Sequence, residues 1–192
     1  RGLGDVYKRQ EAFHAEKMVP VTSRYNHLVT SFGLGVLQPV YDLMQQLIDA
    51  GAVSGQKFSA DPRPLDPNVP ANLLQQLVFK KFMYNKQDFY EGQLQKLGLM
   101  DKDAFTCTCY MSEVGNKPEQ GEVLSWSESS AVVYANSVLG ARCNHNSGIM
   151  DIMGSIVGYV PYFGLLTDEG RKATWIVKIE TSKKPEAQLL GS

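Results

Sequence analysis

Residues Gly115–Gly148 read GNKPEQGEVLSWSESSAVVYANSVLGARCNHNSG. Two polar loops rich in Asn and Gly flank one short apolar run, Ala131 to Leu139. Ser125-Trp126-Ser127-Glu128 has the spacing of a capping box, in which a Ser side chain and a Glu three residues on bond each other's backbone. It predicts a helix capped by Ser125 and reaching Leu139, with Gly140 as the left-handed stop. The loop after that stop carries Arg142, Cys143 and Asn144 together. Soluble domains seldom crowd so many polar groups beside an apolar run unless the loops hold a ligand.

Outward from this stretch, helices and strands alternate. Met18–Thr22 has the apolar pattern of a strand, and Ser23–Gly35 is polar and reads as a loop. Leu37, Val40, Tyr41, Met44, Leu47 and Ile48 follow helical spacing over Val36–Ala50, where Pro39 fits only the first turn and Gly51 supplies the stop. Lys57–Ala60 predicts a short strand. Asp61–Pro70 contains too many prolines for helix or inner strand. Ala71–Met83 predicts a helix with Leu73, Leu74, Leu77, Val78 and Phe82 turned inward. A second helix is expected from an Asn85 cap to Gly98, burying Phe89, Leu94 and Leu97. Ala104–Cys109 predicts a strand, Ser147 caps a helix over Ile149–Val157, and Thr174–Thr181 reads as the clearest strand of all. Alternation with short connections argues for a layered α/β domain.

The chain has 192 residues, enough for one domain with a real core. Hydrophobic residues make up 43% and charged residues 20%, with a net charge of −1, so nothing electrostatic points to nucleic acid or an anionic membrane. No apolar run has the length a bilayer requires. Three cysteines without disulfide-scaffold spacing favour a reducing, cytoplasmic setting. Residues 1–10, RGLGDVYKRQ, look like translated adapter or assembly sequence and are set aside from the fold. The expectation is a piece of a longer protein, with residues 11–192 forming an incomplete domain.

Several residues could carry chemistry. Cys107 and Cys109 end a strand candidate, where α/β proteins place ligands; thiolates also ligate iron–sulfur clusters. From spacing alone, buried free cysteines are the simpler reading. A helix N-terminus near Ser129 offers unpaired N–H groups to an anion, or is satisfied by its own cap. Arg142 either grips a carboxylate bidentately or complements a helix C-terminus. No P-loop, GxGxxG, GxSxG or HExxH motif is present.

Gly115-Asn116-Lys117-Pro118, Gly121-Glu122, Trp126 to Val132, Ala135 to Arg142 and Asn144 together resemble the central signature of the aconitase X family. Weaker echoes lie at Val19–Ser23, Asp61–Asp66, Gly164 and Asp168–Arg171, so the resemblance covers nearly everything from Glu16 onward. It implies an aconitase-like layered catalytic domain, here incomplete. The implied activity is a hydro-lyase that removes water from a small hydroxy acid with the help of a cysteine-held iron–sulfur centre acting as Lewis acid. Cis-3-hydroxy-L-proline is the favoured substrate, with mevalonate 5-phosphate as the alternative. The resemblance further implies Cys107 as a cluster ligand and Thr22, Ser23, Asn116, Glu128, Ser129, Arg142 and Asn144 as substrate-binding. Cys109 and Cys143 stand where the family more usually has proline and a small hydroxyl residue, so both read as incidental. A small swivelling domain or subunit is the expected partner. Arg24-Tyr25-Asn26-His27 departs from the family's usual loop. A reading from another class is a non-catalytic small-molecule binding domain that has lost the metal site.

Overall fold

A computed structural model describes residues 11–28 and 33–186. The expectation for residues 1–10 lies outside them. Short strands and helices follow one another: β1 (Met18–Pro20), β2 (Asn26–Leu28), α1 (Gln38–Asp49), β3 (Phe58–Ala60), α2 (Leu73–Gln75), α3 (Gln87–Leu97), α4 (Ser129–Tyr134), α5 (Gly148–Val157) and β4 (Tyr159–Pro161). The α/β expectation holds.

β2 and β3 form the centre of a parallel layer, pairing Asn26 with Phe58 and Leu28 with Ala60. Single parallel bridges extend it on both sides. Beyond β3 lie Leu99 and Phe105, and beyond β2 lies Trp126; Arg142 follows, beside Val123. The backbone order across the layer is therefore Arg142, residues 122–127, β2, β3, residues 98–106. The chain steps outward twice from β2, then returns to β2's other side. The order reverses between His27 and Trp126, where Ser127 N–H donates to His27 C=O at 3.2 Å. β1 and β4 make a separate antiparallel pair, Met18 opposite Pro161.

Side-chain alternation sorts residues onto the two faces of the layer. Leu28, Phe58 and Ala60 point to one face and bury Tyr41, Met44, Tyr90, Leu94 and Leu97 of α1 and α3. Each such leucine contributes roughly 1.5–3 kcal/mol by leaving water. Tyr41 is fully buried, and its hydroxyl donates to Leu34 C=O at 2.7 Å. On the other face Leu124 and Trp126 pack with Ala131, Val132 and Ala135 of α4 and with Cys109, Ala141 and Cys143. Gly158, with φ of 75°, stops α5 as expected after a start at the Ser147 position. Among the described residues no helix is long and apolar enough to cross a membrane.

The structure corrects several element boundaries. The polar stretch expected as a loop contains β2, all three of whose residues are buried; burial is possible because Asn26 Nδ2 donates to Ser155 Oγ at 2.8 Å and His27 Nδ1 meets Ser59 Oγ at 2.9 Å. Ser125 caps nothing, since Glu128 is the N-cap of α4. α3 starts at Gln87 without a side-chain cap from Asn85. Residues 104–109 make one bridge rather than a strand; Thr108 N–H is taken by Thr106 Oγ1 at 3.1 Å, a local bond that competes with a ladder. Helical spacing correctly marked an apolar face over 73–83, but Leu73, Leu74, Leu77, Val78 and Phe82 are exposed, as is half of Phe89. Asn72 caps this segment, which widens into i→i+5 turns over Gln76–Met83, ending with Tyr84 N–H on Phe79 C=O at 2.7 Å. Residues 174–181 carry strand propensity without a strand: Ile176 is 94% exposed. Propensity describes fit to a pleated, half-covered surface, and no neighbouring backbone among the described residues pairs with this run.

Candidate active site

Open α/β sheets bind ligands outside the carboxyl ends of their strands, at the point where strand order reverses. Here that point lies between β2 and residues 122–127. Asp61 follows β3, Ser127 and Glu128 follow the Trp126 line, and Cys107 follows the Phe105 bridge, so all four leave the layer at the same edge.

Beneath this edge is a knot of buried polar groups. His27 is fully buried. Its Nδ1 meets Ser59 Oγ, and its Nε2 lies 3.3 Å from Asp61 Oδ1 without the alignment of a hydrogen bond. Asn116 Nδ2 donates to Asn26 C=O at 3.0 Å and to Ser59 Oγ at 3.2 Å. Ser23 Oγ donates to Asn26 Oδ1 at 3.3 Å. The Trp126 and His27 rings meet in a T-shaped arrangement, with ring centres 5.8 Å apart. Buried polar groups cost stability unless paired, so a knot of this kind is maintained by nearly complete pairing. Sequence reasoning weighed His27 as facing a site but preferred a plain turn, and it missed Ser59 and Asp61. The only signal was an Asn-His pair and an Asp just after predicted strands, against which loop composition weighed more.

Glu128 caps α4: Ala131 N–H and Ser130 Oγ both donate to its Oε2 at 2.6 Å. Burial alone would raise this carboxyl. The bonds from the Ser130 side chain and from the N–H groups of Ala131 and Ser130, with His27 nearby, outweigh burial and hold it below the ordinary carboxylate range. Ser129, the first residue of α4, is exposed.

The remaining expected residues lie elsewhere. Thr22 Oγ1 accepts from Val123 N–H at 2.8 Å. Arg142 donates to Leu166 C=O at 2.8 Å and to the Asp168 carboxylate. Asn144 donates to Phe163 C=O at 2.9 Å and accepts from Leu165 N–H at 2.8 Å. Arg142 and Asn144 therefore clamp the Phe163–Asp168 loop. Of the expected set, Glu128 and Ser129 lie at the reversal point and Asn116 bonds Ser59 beneath it; Thr22 and Ser23 both meet Val123 C=O, at 2.9 and 3.3 Å, at the amino end of that line, and Arg142 and Asn144 hold the Phe163–Asp168 loop.

The three cysteines differ sharply. Cys107 is exposed, whereas Cys109 and Cys143 are buried. Burial, then the charges of Glu128 and Asp61, push the Cys109 thiol far up, and burial followed by Asp151 does the same to Cys143. Neutral thiols of this kind are poor metal ligands, because the thiolate is the ligating form. Among the described residues no group of three or more His, Cys, Asp or Glu is arranged to hold a metal ion. Cys107 fits one position of a cysteine-held cluster; these residues do not supply a set.

The family model for the aconitase X first domain matches residues 3–169. The chain is 31% identical over 186 residues to the phosphomevalonate dehydratase large subunit of Thermococcus kodakarensis, covering 95% of this chain and 41% of that protein. It is 40% identical over 77 residues to the cis-3-hydroxy-L-proline dehydratase of Pseudomonas aeruginosa, covering 40% of this chain and 13% of that protein. It superposes on the crystal structure of Thermococcus kodakaraensis aconitase X in its holo form with a TM-score of 0.71 and 26% identity, over 90% of this chain and 40% of that one. The chain thus spans about two-fifths of the length of these two Thermococcus proteins. With the family's first-domain model matched over residues 3–169 of 192, the chain belongs to the aconitase X family.

Proposed function

We propose that this chain forms the first part of the large subunit of a hydro-lyase that removes water from mevalonate 5-phosphate or a close β-hydroxy acid. What carries the reading is the breadth of the likeness to a phosphomevalonate dehydratase large subunit, 95% of the chain. The hydroxyproline reading, favoured from sequence alone, has the support of a shorter match, 40% of the chain, and stands second.

In this proposal Cys107 contributes one thiolate to an iron–sulfur cluster whose other ligands come from beyond the described residues. The bound cluster would supply a Lewis-acidic iron to the leaving hydroxyl. This chain's own part is to shape and orient. The carboxylate of Glu128 and the hydroxyl of Ser129 face the edge where substrate enters. Ser23 and Asn116 fix the floor beneath, and Thr22, Arg142 and Asn144 brace the connections that hold it. The Leu124–Trp126 line and α4 keep water from the underside. A small swivelling subunit, the partner implied by relatives named as large subunits, would close the other side.

The test uses the complete protein with its small subunit, expressed anaerobically. Iron, sulfide and visible absorbance are measured for the wild type and Cys107→Ala, and water loss is assayed on both candidate substrates. Cluster loss in the variant and faster turnover of mevalonate 5-phosphate are expected. A full cluster in Cys107→Ala would remove the ligand assignment, and preference for cis-3-hydroxy-L-proline would reverse the substrate order.

A further inference from the structure

A dehydration of a β-hydroxy acid needs a group that takes the proton from the carbon beside the carboxylate, and Glu128 is poorly suited to it. Both hydrogen bonds to Glu128 Oε2 come from its own helix turn, and they stabilise the ionised form. A second carboxylate stands at the same edge. Asp61 directly follows β3, and its N–H donates to Leu28 C=O at 3.1 Å, which carries it over the end of β2 at the reversal point. Its Oδ1 is shut from solvent against His27 Nε2, and neither atom has a hydrogen bond among the described residues. The side chain as a whole is 16% exposed, so the exposed part lies away from Oδ1. One side of this carboxyl is held by the protein interior and the remainder opens at the edge.

His27 is a rigid backstop for it. The imidazole is completely buried, its Nδ1 engaged by Ser59 Oγ and its ring braced by Trp126. Asn116 bonds the same Ser59 hydroxyl. Ring orientation is thus fixed on two sides, by Ser59 and by Trp126, leaving Nε2 directed at Asp61. A buried ring nitrogen without a hydrogen bond is costly to retain in a core, and a carboxylate held beside it at a ligand-binding edge gives that cost a function. The neighbouring Arg63 does not compete for Asp61, because its guanidinium is bound by Glu91 at 2.9 and 3.0 Å. The titratable groups beside Asp61 from the adjoining elements are His27 and the buried thiol of Cys109, on which the charge of Glu128 also acts.

We propose that Asp61 is the proton acceptor of the dehydration and that His27 is its positioning residue, an inference that rests on the hydro-lyase reading above. In the step, the electron pair of the C–H bond becomes the new C=C bond and the proton passes to an Asp61 oxygen. The hydroxyl leaves with its C–O pair, and this hydroxide and the proton later released by Asp61 together make up the one water lost. Positioned proton transfer of this kind contributes roughly 100- to 10,000-fold to rate.

The complete protein with its small subunit is assayed as wild type, Asp61→Asn, Asp61→Glu, Asp61→Ala and His27→Gln, alongside exchange of the substrate's α-hydrogen with deuterated water. Asp61→Asn is expected to lower kcat about 100-fold or more while KM stays within about threefold, and to abolish the exchange. Asp61→Glu should regain part of kcat, and added formate should partly rescue Asp61→Ala, neither of which a merely structural carboxylate would do. His27→Gln should lower kcat about 10-fold and keep measurable exchange. Asp61→Asn with kcat within about threefold of wild type, or with its loss confined to KM, overturns the proposal. Should Asp61→Asn not fold, failure of formate to restore any turnover to Asp61→Ala overturns it instead. A wild type that dehydrates neither substrate removes the hydro-lyase reading itself, and this proposal with it.

Discussion

Ser125 Oγ donates to Asp151 Oδ1 at 2.8 Å, joining the Trp126 line of the sheet to the first turns of α5. The expected capping role of Ser125 is replaced by this tertiary bond to a fully buried carboxylate. Ser125→Ala removes one donor from that carboxylate, to which Asn146 Nδ2 also donates at 3.1 Å. The expected loss is about 1–3 kcal/mol in urea unfolding, without loss of the α4 helix signal. The site is also tightly packed. A Cβ on Gly154 would lie 2.7 Å from Ser125 Oγ but 3.6 Å from Ser125 Cβ. Gly154→Ala should therefore cost less in the Ser125→Ala background than in the wild type; strictly additive costs would show that the two positions do not share this contact.

Glu128 gives a pH-dependent prediction. Its folded carboxyl is held below its ordinary range by donors in the first turn of α4. A depressed carboxylate contributes stability above its unfolded pKa and loses it as pH falls through the folded value. Glu128→Ala should cost about 0.5–2 kcal/mol at neutral pH, the usual cost of losing an N-cap. The difference between variant and wild type should shrink as pH is lowered below the ordinary carboxylate range, about 4.3. A difference constant down to the acid transition would mean that the carboxylate does not cap α4.

Asn144 is expected to act on stability before it acts on substrate. Its amide bonds both Phe163 C=O and Leu165 N–H, and Gly164 between them has φ of +52° with space for a Cβ closed by Asn144 Oδ1 at 2.7 Å. Asn144→Ala leaves two loop groups unpaired, at an expected cost of about 1–3 kcal/mol. Gly164→Ala should be destabilising in its own right, because an L side chain there is strained as well as crowded. A change in KM with unfolding unaltered in Asn144→Ala would restore the substrate-binding role read from sequence.

The sequence was most legible where local chemistry decides structure. Helical spacing located α1, the glycine stops at Gly98 and Gly158 bounded α3 and α5, and Gly140 and Gly158 adopt φ of 72° and 75°. It was least legible where a partner distant in the chain decides. Asn26 and His27 look like loop residues until Ser155 and Ser59 arrive to pair them. Ser125 and Glu128 stand at capping-box spacing, yet only long-range packing shows that Ser125 belongs to Asp151. Residues 174–181 show the converse: strong local propensity yields no strand without a neighbour. The site followed the same rule. Glu128, Ser129, Ser23 and Asn116 sit in quoted motifs; Asp61 and His27 also lie in quoted stretches, but that they meet follows only from the β2–β3 pairing, which no local pattern announces.

The cysteines offer a chemical readout of the core. Thiolates react with alkylating agents and thiols do not, so reactivity follows exposure and ionisation together. Cys107 is exposed, while Cys109 and Cys143 are buried with their thiols pushed well up by burial. In metal-free native protein at about pH 8, iodoacetamide should modify the exposed Cys107 and spare the other two. Peptide mass spectrometry reads the adducts directly, and all three should react after unfolding. Linkage runs the same way. Groups whose folded pKa is raised contribute stability below their unfolded pKa and lose it as pH rises, because only the unfolded chain then ionises. Cys143→Ala should therefore flatten the fall in stability above about pH 8.5. Early modification of Cys143 in the native state would mean that the core joining α4 to the Leu124–Trp126 line opens far more readily than its packing implies. The support beneath the proposed active site would then have to come from elsewhere in the protein.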